Sequence, residues 1–283
     1  MRTRPIKQPE AHLLDPRPPG TTPIHRPGVD FVTYHIPTSP PSTSSPSSKL
    51  KTTIHLHPTS HWTSGLHFHT THTEHLRLVR GSITVRLGTT LNTYSASAGG
   101  QIDAQCRVVA PGLIITVPKY VRHNWGRADH MLRRSRIGGS GKLPDDWSDD
   151  VVVEEWTDPS NSTKPLFFWN LNGVITASAD DPKSAPQTVA RWMLGGWWIP
   201  FQLFVIFWEL DNWPVFLSLE GGNEAGLWLW LWQSVEFVMT FLVLFGASLV
   251  GRVLGVKAVV KERTPKELWD AWQRDKNGGS KGH

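Results

Sequence analysis

The stretch Gly65–Gly81, G-L-H-F-H-T-T-H-T-E-H-L-R-L-V-R-G, limits this chain more than any other. His67 and His69 are two residues apart, so on a β-strand both imidazoles leave the same face. Glu74 follows five residues after His69, far enough to cross a tight turn and return on a neighbouring strand. Gly81 then supplies the next turn, where a positive φ is cheap. Two imidazoles and a carboxylate converging on one point can hold a divalent metal and leave coordination positions open.

The surroundings have the same short-strand character. From Thr52 to Thr157, β-forming runs at 53–57, 65–69, 75–80, 83–87, 113–117 and 151–156 alternate with turn residues. They stand too close together for crossover helices, which excludes a βαβ architecture and points to an all-β antiparallel sandwich or barrel over residues 30–157. Phe31, Val32, Tyr34 and Ile36 suggest its first strand. Residues 1–29, rich in proline, read as a disordered arm. Residues 37–50, P-T-S-P-P-S-T-S-S-P-S-S-K-L, read as a flexible insertion between strands. Residues 158–190 read as a connector packing on the β-domain.

A second segment, P-G-L-I-I-T-V-P-K-Y-V-R-H-N-W (111–125), ends a strand at Val117, turns at Pro118 and delivers His123 from the next strand. Together the two segments resemble the signature motifs of the cupin superfamily. His67, His69, Glu74 and Gly81 match H-x-H, four residues, E, six residues, G; Gly112, Pro118 and His123 match G, five residues, P-x-G-x-x-H. The resemblance covers residues 50–140. It implies a jelly-roll barrel with His67, His69, Glu74 and His123 as metal ligands. Tyr120 replaces the glycine after the proline, so that turn is expected to be of another type. His61 stands where a glycine precedes the first motif, and Arg127 where an asparagine follows His123. His55, His57, His61, His72 and His75 read as pocket lining or surface.

Three imidazoles and one carboxylate suit Fe(II), Mn(II), Ni(II) or Zn(II), with iron favoured where open positions take dioxygen. Lewis-acid chemistry would serve an isomerase or cyclase equally well. Tyr120 and Arg122 are candidates for positioning an anionic or phenolic substrate. The pattern is similar to that of cupin-domain oxidoreductases of fungal secondary metabolism, which implies a lipophilic, polyketide-type substrate and a homodimer through the barrel. The alternative is a metal-stabilised cupin that binds a ligand and catalyses nothing.

Composition matters mainly at the C-terminal third. The net charge of +5 comes from scattered basic residues that do not interleave with aromatics, which argues against nucleic acid as a partner. Cys106 is alone, which excludes a disulfide framework and a cysteine metal site. Residues 191–256, by contrast, are dense in Trp, Phe, Leu and Val. Residues 192–208 carry no charge and 225–251 carry only Glu236. Each approaches the ~20 apolar residues needed to cross a bilayer. The loop between them is acidic (Glu209, Asp211, Glu220, Glu224) and the outer flanks are basic (Arg191, Arg252, Lys257, Lys261, Arg263). That charge pattern predicts a transmembrane hairpin at an intracellular membrane, with the β-domain and both termini cytosolic. The alternative is a pair of buried helices in a soluble oligomer. Glu236 is expected to serve helix packing. In the tail, 257–283, Thr264, Pro265 and Glu267 predict the start of an amphipathic helix that either lies on the membrane or docks on the barrel.

Overall fold

The computed structural model describes residues 14–28, 30–41, 49–129, 144–177, 185–217 and 227–279. Residues 42–48, half of the 37–50 insertion, and residues 1–13 of the N-terminal arm lie outside these.

The strands run in chain order β1 (Thr21–Arg26), β2 (Val32–Pro37), β3 (Thr52–Leu56), β4 (His67–Phe68), β5 (Thr73–Arg80), β6 (Ser82–Leu87), β7 (Thr90–Ser95), β8 (Gly100–Ile102), β9 (Val108–Pro111), β10 (Ile114–Val117), β11 (His123–Arg127), β12 (Val151–Asp158) and β13 (Trp213–Pro214). One sheet has the order β1-β2-β3-β12-β5-β10, the other β13-β4-β11-β6-β7-β8-β9. All their ladders are antiparallel, and the two sheets pack face to face without closing into one. β5 shows why the chain folds this way. Glu74, Leu76 and Leu78 point inward while Arg77 is exposed, the period of two that a half-buried strand requires. Leu76, Leu78, Ile54, Val153, Ile83 and Trp125 from the two sheets form a common core.

Gly81 sits at φ +75°, and a Cβ there would lie 2.6 Å from the carbonyl oxygen of Asp150, so the turn needs glycine for both reasons.

Among the described residues, α-helices follow or flank the sheets: α1 (Thr163–Ile175), α2 (Ala185–Leu194), α3 (Trp198–Glu209), α4 (Leu227–Leu254) and α5 (Lys266–Gly279). α1 buries Leu166, Phe167 and Phe168 in the core, each contributing about 1.5–3 kcal/mol. The region 158–190 is thus more than a connector.

Two expectations are corrected here. The arm is not loose throughout, because Thr21–Arg26 forms β1 and pairs with β2 along its length. Pro23 is tolerated there because β1 is an edge strand. The first expected span, 192–208, is not one helix. Gly195, at φ +52°, ends α2 in a turn of 3₁₀-helix, and α3 begins three residues later with Pro200 in its first turn, where proline costs little. α3 has 12 residues, about 18 Å, too short for a ~30 Å hydrocarbon layer. Among the described residues one helix is long and apolar enough to cross a membrane, Leu231–Leu254 within α4.

α4 is tied to the rest of the molecule at its middle and beyond its C-terminal end. Along its middle Glu236 pairs with Arg122, and the Thr240 hydroxyl donates to the Pro214 carbonyl. Beyond its end Val256, Ala258 and Val259 enter the core, and Val260 N–H donates to Asn170 of α1. The expected tail helix starts at Lys266, and Leu268 is fully buried against the body.

Candidate metal centre

His67 and His123 lie directly opposite each other on β4 and β11. Glu74 comes from β5 in the facing sheet, and His69 from the first residue after β4. The four side chains are buried, and one donor atom from each falls within 4.8 Å of the others. The structure therefore brings together the four residues singled out from the sequence.

The ring hydrogen bonds decide what these imidazoles can do. His67 Nδ1 faces the Gly65 carbonyl at 2.8 Å, His69 Nδ1 the Asp211 carbonyl at 2.6 Å and His123 Nδ1 the Val121 carbonyl at 2.9 Å. A carbonyl only accepts, so each Nδ1 carries the hydrogen and each neutral Nε2 presents a lone pair. Such a backbone anchor is what metal-ligating histidines use to fix tautomer and orientation. His123 Nε2 meets Glu74 Oε2 at 2.8 Å, and His69 Nε2 stands 3.6 Å from the same oxygen without a hydrogen-bond partner. Lone pairs aimed at a carboxylate repel unless a cation lies among them. On these observations the residues fit a divalent metal.

Electrostatics point the same way. Burial, with the neighbouring histidines, holds His67 well below its ordinary pKa and His69 at about 4, so both stay neutral bases at pH 7. Burial alone would raise the Glu74 carboxyl, but the Lys164 ammonium and the contacts with His123 and His69 outweigh it and keep Glu74 ionised.

Three residues at this centre were not foreseen. Lys164, in the first turn of α1, forms a buried ion pair with Glu74 and stands 3.4 Å from Glu155. Glu155 accepts from Trp125 Nε1 at 2.8 Å, and burial pushes its carboxyl up to about 7. Its inward aim was legible, since Val151, Val153 and Glu155 share one face of β12. Lys164 gave no local signal, and neither did Asp211. The carboxylate of Asp211 accepts from Thr70, Thr71 and His72.

Arg122 and Tyr120 are elsewhere. Arg122 pairs with Glu236 at 2.7 Å and donates to the Gln233 carbonyl. Both candidates line an open hollow of about 380 Å³ between the sandwich and α4, away from the centre. Tyr120 is exposed at φ +64°, so the turn is the left-handed kind that glycine favours, held here by a tyrosine whose N–H donates to the His69 carbonyl. Arg127 is buried and donates to the carbonyls of Trp147 and Asp149. Glu236 packs helix to sandwich rather than helix to helix. Of the other histidines, His72 is buried against His69, whereas His55 stands 3.3 Å from Asp150.

A separate cavity of about 180 Å³ opens onto His67, Glu155 and Lys164, walled by Tyr34, Trp62, Phe167, Phe168 and Phe207, with Arg26 and Asn212 as further polar groups.

No family model and no curated protein matches the sequence. Solved structures matched at probability 1.00 include a cupin-2 domain, Rru_A2000, from Rhodospirillum rubrum: 14% identity, 54% of this chain and 78% of that one, TM-score 0.30. A cupin 2 conserved barrel domain protein from Rhodopseudomonas palustris has 13% identity over 48% and 69%, TM-score 0.28. KdgF from Halomonas sp. has 13% over 44% and 79%, TM-score 0.25. These scores are low and carry no argument; the two motifs and the antiparallel strands that bear them stand on their own.

Proposed function

We propose that this chain is a metal-dependent cupin enzyme whose metal is held by His67, His69, Glu74 and His123. The observation that carries the proposal is the common orientation of the three imidazoles, each fixed by a backbone carbonyl with its Nε2 toward Glu74. Lys164 and Glu155 complete the charge pattern, two carboxylates against one ammonium, which leaves room for added positive charge.

The cavity supports a reading of the substrate's size. A dry cavity of about 150 Å³ accepts benzene, so about 180 Å³ suits a single ring with a few substituents rather than a fused polyketide-type product. The aromatic walls bind the ring and exclude water. Glu155, with its pKa near 7, can take or return a proton at the substrate edge nearest His67. Bound Fe(II) would supply oxidation with dioxygen as co-substrate. We therefore read the protein as an oxygenase of one-ring lipophilic or phenolic compounds. The test is anaerobic purification, metal analysis and O₂ uptake with substituted phenols. Uptake that His67→Ala abolishes while the fold survives supports the reading, and a protein that holds no transition metal overturns it. Glu155 also favours a second reading, a metal-dependent isomerase that moves protons without dioxygen; turnover under argon would select it.

The helical third supports attachment to a membrane surface. Trp192, Met193, Trp197 and Val253 are largely exposed and sit beside Arg191 and Arg252. With α4 held to the body at its middle and beyond its C-terminal end, these groups suit insertion in the interfacial plane rather than a crossing. Flotation with anionic vesicles tests this, and Trp192→Ser with Trp197→Ser is expected to abolish it.

A further inference from the structure

We infer that Asp211 is a positioning residue for His69, so that the turn between α3 and β13 belongs to the metal centre. The inference rests on the metal-binding reading above. Asp211 holds His69 in two ways. Its backbone carbonyl takes the His69 Nδ1 hydrogen at 2.6 Å, which sets the direction of Nε2. Its carboxylate grips the segment that immediately follows His69. Oδ1 accepts from Thr70 N–H at 2.9 Å and the Thr70 hydroxyl at 2.6 Å; Oδ2 accepts from Thr71 N–H at 2.8 Å and the Thr71 hydroxyl at 2.6 Å. His72 Nδ1 adds a contact to Oδ2 at 3.0 Å, and its ring lies 4.2 Å from that of His69.

Asp211 is buried at φ +52°, a conformation that non-glycine residues hold only when their surroundings impose it, most often at functional sites. Docking the helices does not require this bracket. The β13–β4 ladder and the Arg122–Glu236 pair already join them to the sandwich. His69, His72 and Asp211 also bring three donor atoms within 4.8 Å. Both Nδ1 atoms there face Asp211 oxygens, however, so the group is a hydrogen-bonded bracket rather than a second ion site.

The test uses the full chain, stripped with a chelator and titrated with Co(II), which yields a Kd and a visible spectrum sensitive to ligand geometry. Asp211→Asn keeps the backbone carbonyl and a residue type that tolerates positive φ, but turns one acceptor into a donor facing N–H groups. Its Kd is expected to rise about 10–100-fold, with a changed spectrum, as when an outer partner of a ligating histidine is lost. Glu236→Gln, which loosens the helices at the other contact, is the control and is expected to leave Kd and spectrum as in the wild type. Equal binding by Asp211→Asn and wild type overturns the inference. So does equal weakening by Glu236→Gln, because stability alone would then explain the loss. Should Asp211→Asn fail to fold, Thr70→Val deletes only a hydroxyl bond and is expected to give a smaller rise; no rise overturns the inference. A wild type that takes up no Co(II) defeats the metal reading itself, a result distinct from all of these.

Discussion

The interior of the sandwich and the seam between sandwich and α4 each bury a glutamate against a cation, and the two pairs differ in kind. At the seam the arrangement is one to one: Arg122 on Glu236, with Arg122 also donating to the Gln233 carbonyl, at the edge of an open hollow. In the interior, one ammonium, Lys164, faces two carboxylates, Glu74 and Glu155, and three imidazole lone pairs point at the same place. The seam pair balances one charge with one charge and joins two bodies. The interior group has surplus acceptors, which a further cation, or a proton on Glu155, would offset.

Removing one charged partner from each pair should expose that difference. Lys164→Met leaves two carboxylates buried with no ammonium, and breaking such a pair from one side costs about 3–5 kcal/mol. Denaturant unfolding with chelator present should show that loss, and added divalent metal should recover a larger share of stability in the variant than in the wild type. Glu236→Gln leaves Arg122 its bond to Gln233 and some access to water, so the cost should be about 1–2 kcal/mol. Equal losses in the two variants would break the comparison.

How much of this was legible follows from how far apart the cooperating residues lie. His67, His69, Glu74 and Gly81 sit within one stretch whose spacing states the strand, the turn and the return strand, and His123 comes from a second stretch of the same kind. Lys164 lies 90 residues from Glu74 and Asp211 142 from His69. Nothing near either residue in the chain announces its partner. The helical third failed for another reason. Apolar composition states that surface will be hidden or lipid-facing, but it does not say which residues face the core. Leu210 and Ile206 proved to be core while Trp192 and Trp197 face outward. Gly195 and Pro200, which set the break between α2 and α3, carry more information there than hydropathy does.

The sandwich interior is not uniformly matched, and His35 sharpens the contrast. It is fully buried, and neither ring nitrogen has a hydrogen-bond partner among the described residues. Burial, with smaller contributions from His55 and Arg17, lowers its pKa from the ordinary 6.5 to about 4. As pH falls below 6.5 the unfolded chain takes up a proton that the folded chain refuses until about 4. This contribution to stability is therefore present above 6.5 and is lost between 6.5 and 4. His35→Leu removes it, so the variant should gain on the wild type through that window, by on the order of 3 kcal/mol at its lower end. A constant difference across pH would mean that His35 is not the neutral, unpartnered base described.

Tyr120 should give the smallest effect, and it separates what the motif requires from what the ligands require. Its φ of +64° is strained for any residue with a Cβ, by roughly 1–2 kcal/mol. Glycine would relieve that strain but lose about 0.5–1 kcal/mol to the greater freedom of the unfolded chain. Tyr120→Gly should therefore stabilise the protein by no more than about 1 kcal/mol, and the Tyr120 N–H to His69 carbonyl bond should survive. Metal affinity should stay as in the wild type, because the side chain is exposed and lies outside the cavity at His67. A fall in affinity would show that the tyrosine holds the loop ahead of His123, and would move it from the seam to the interior side of the comparison.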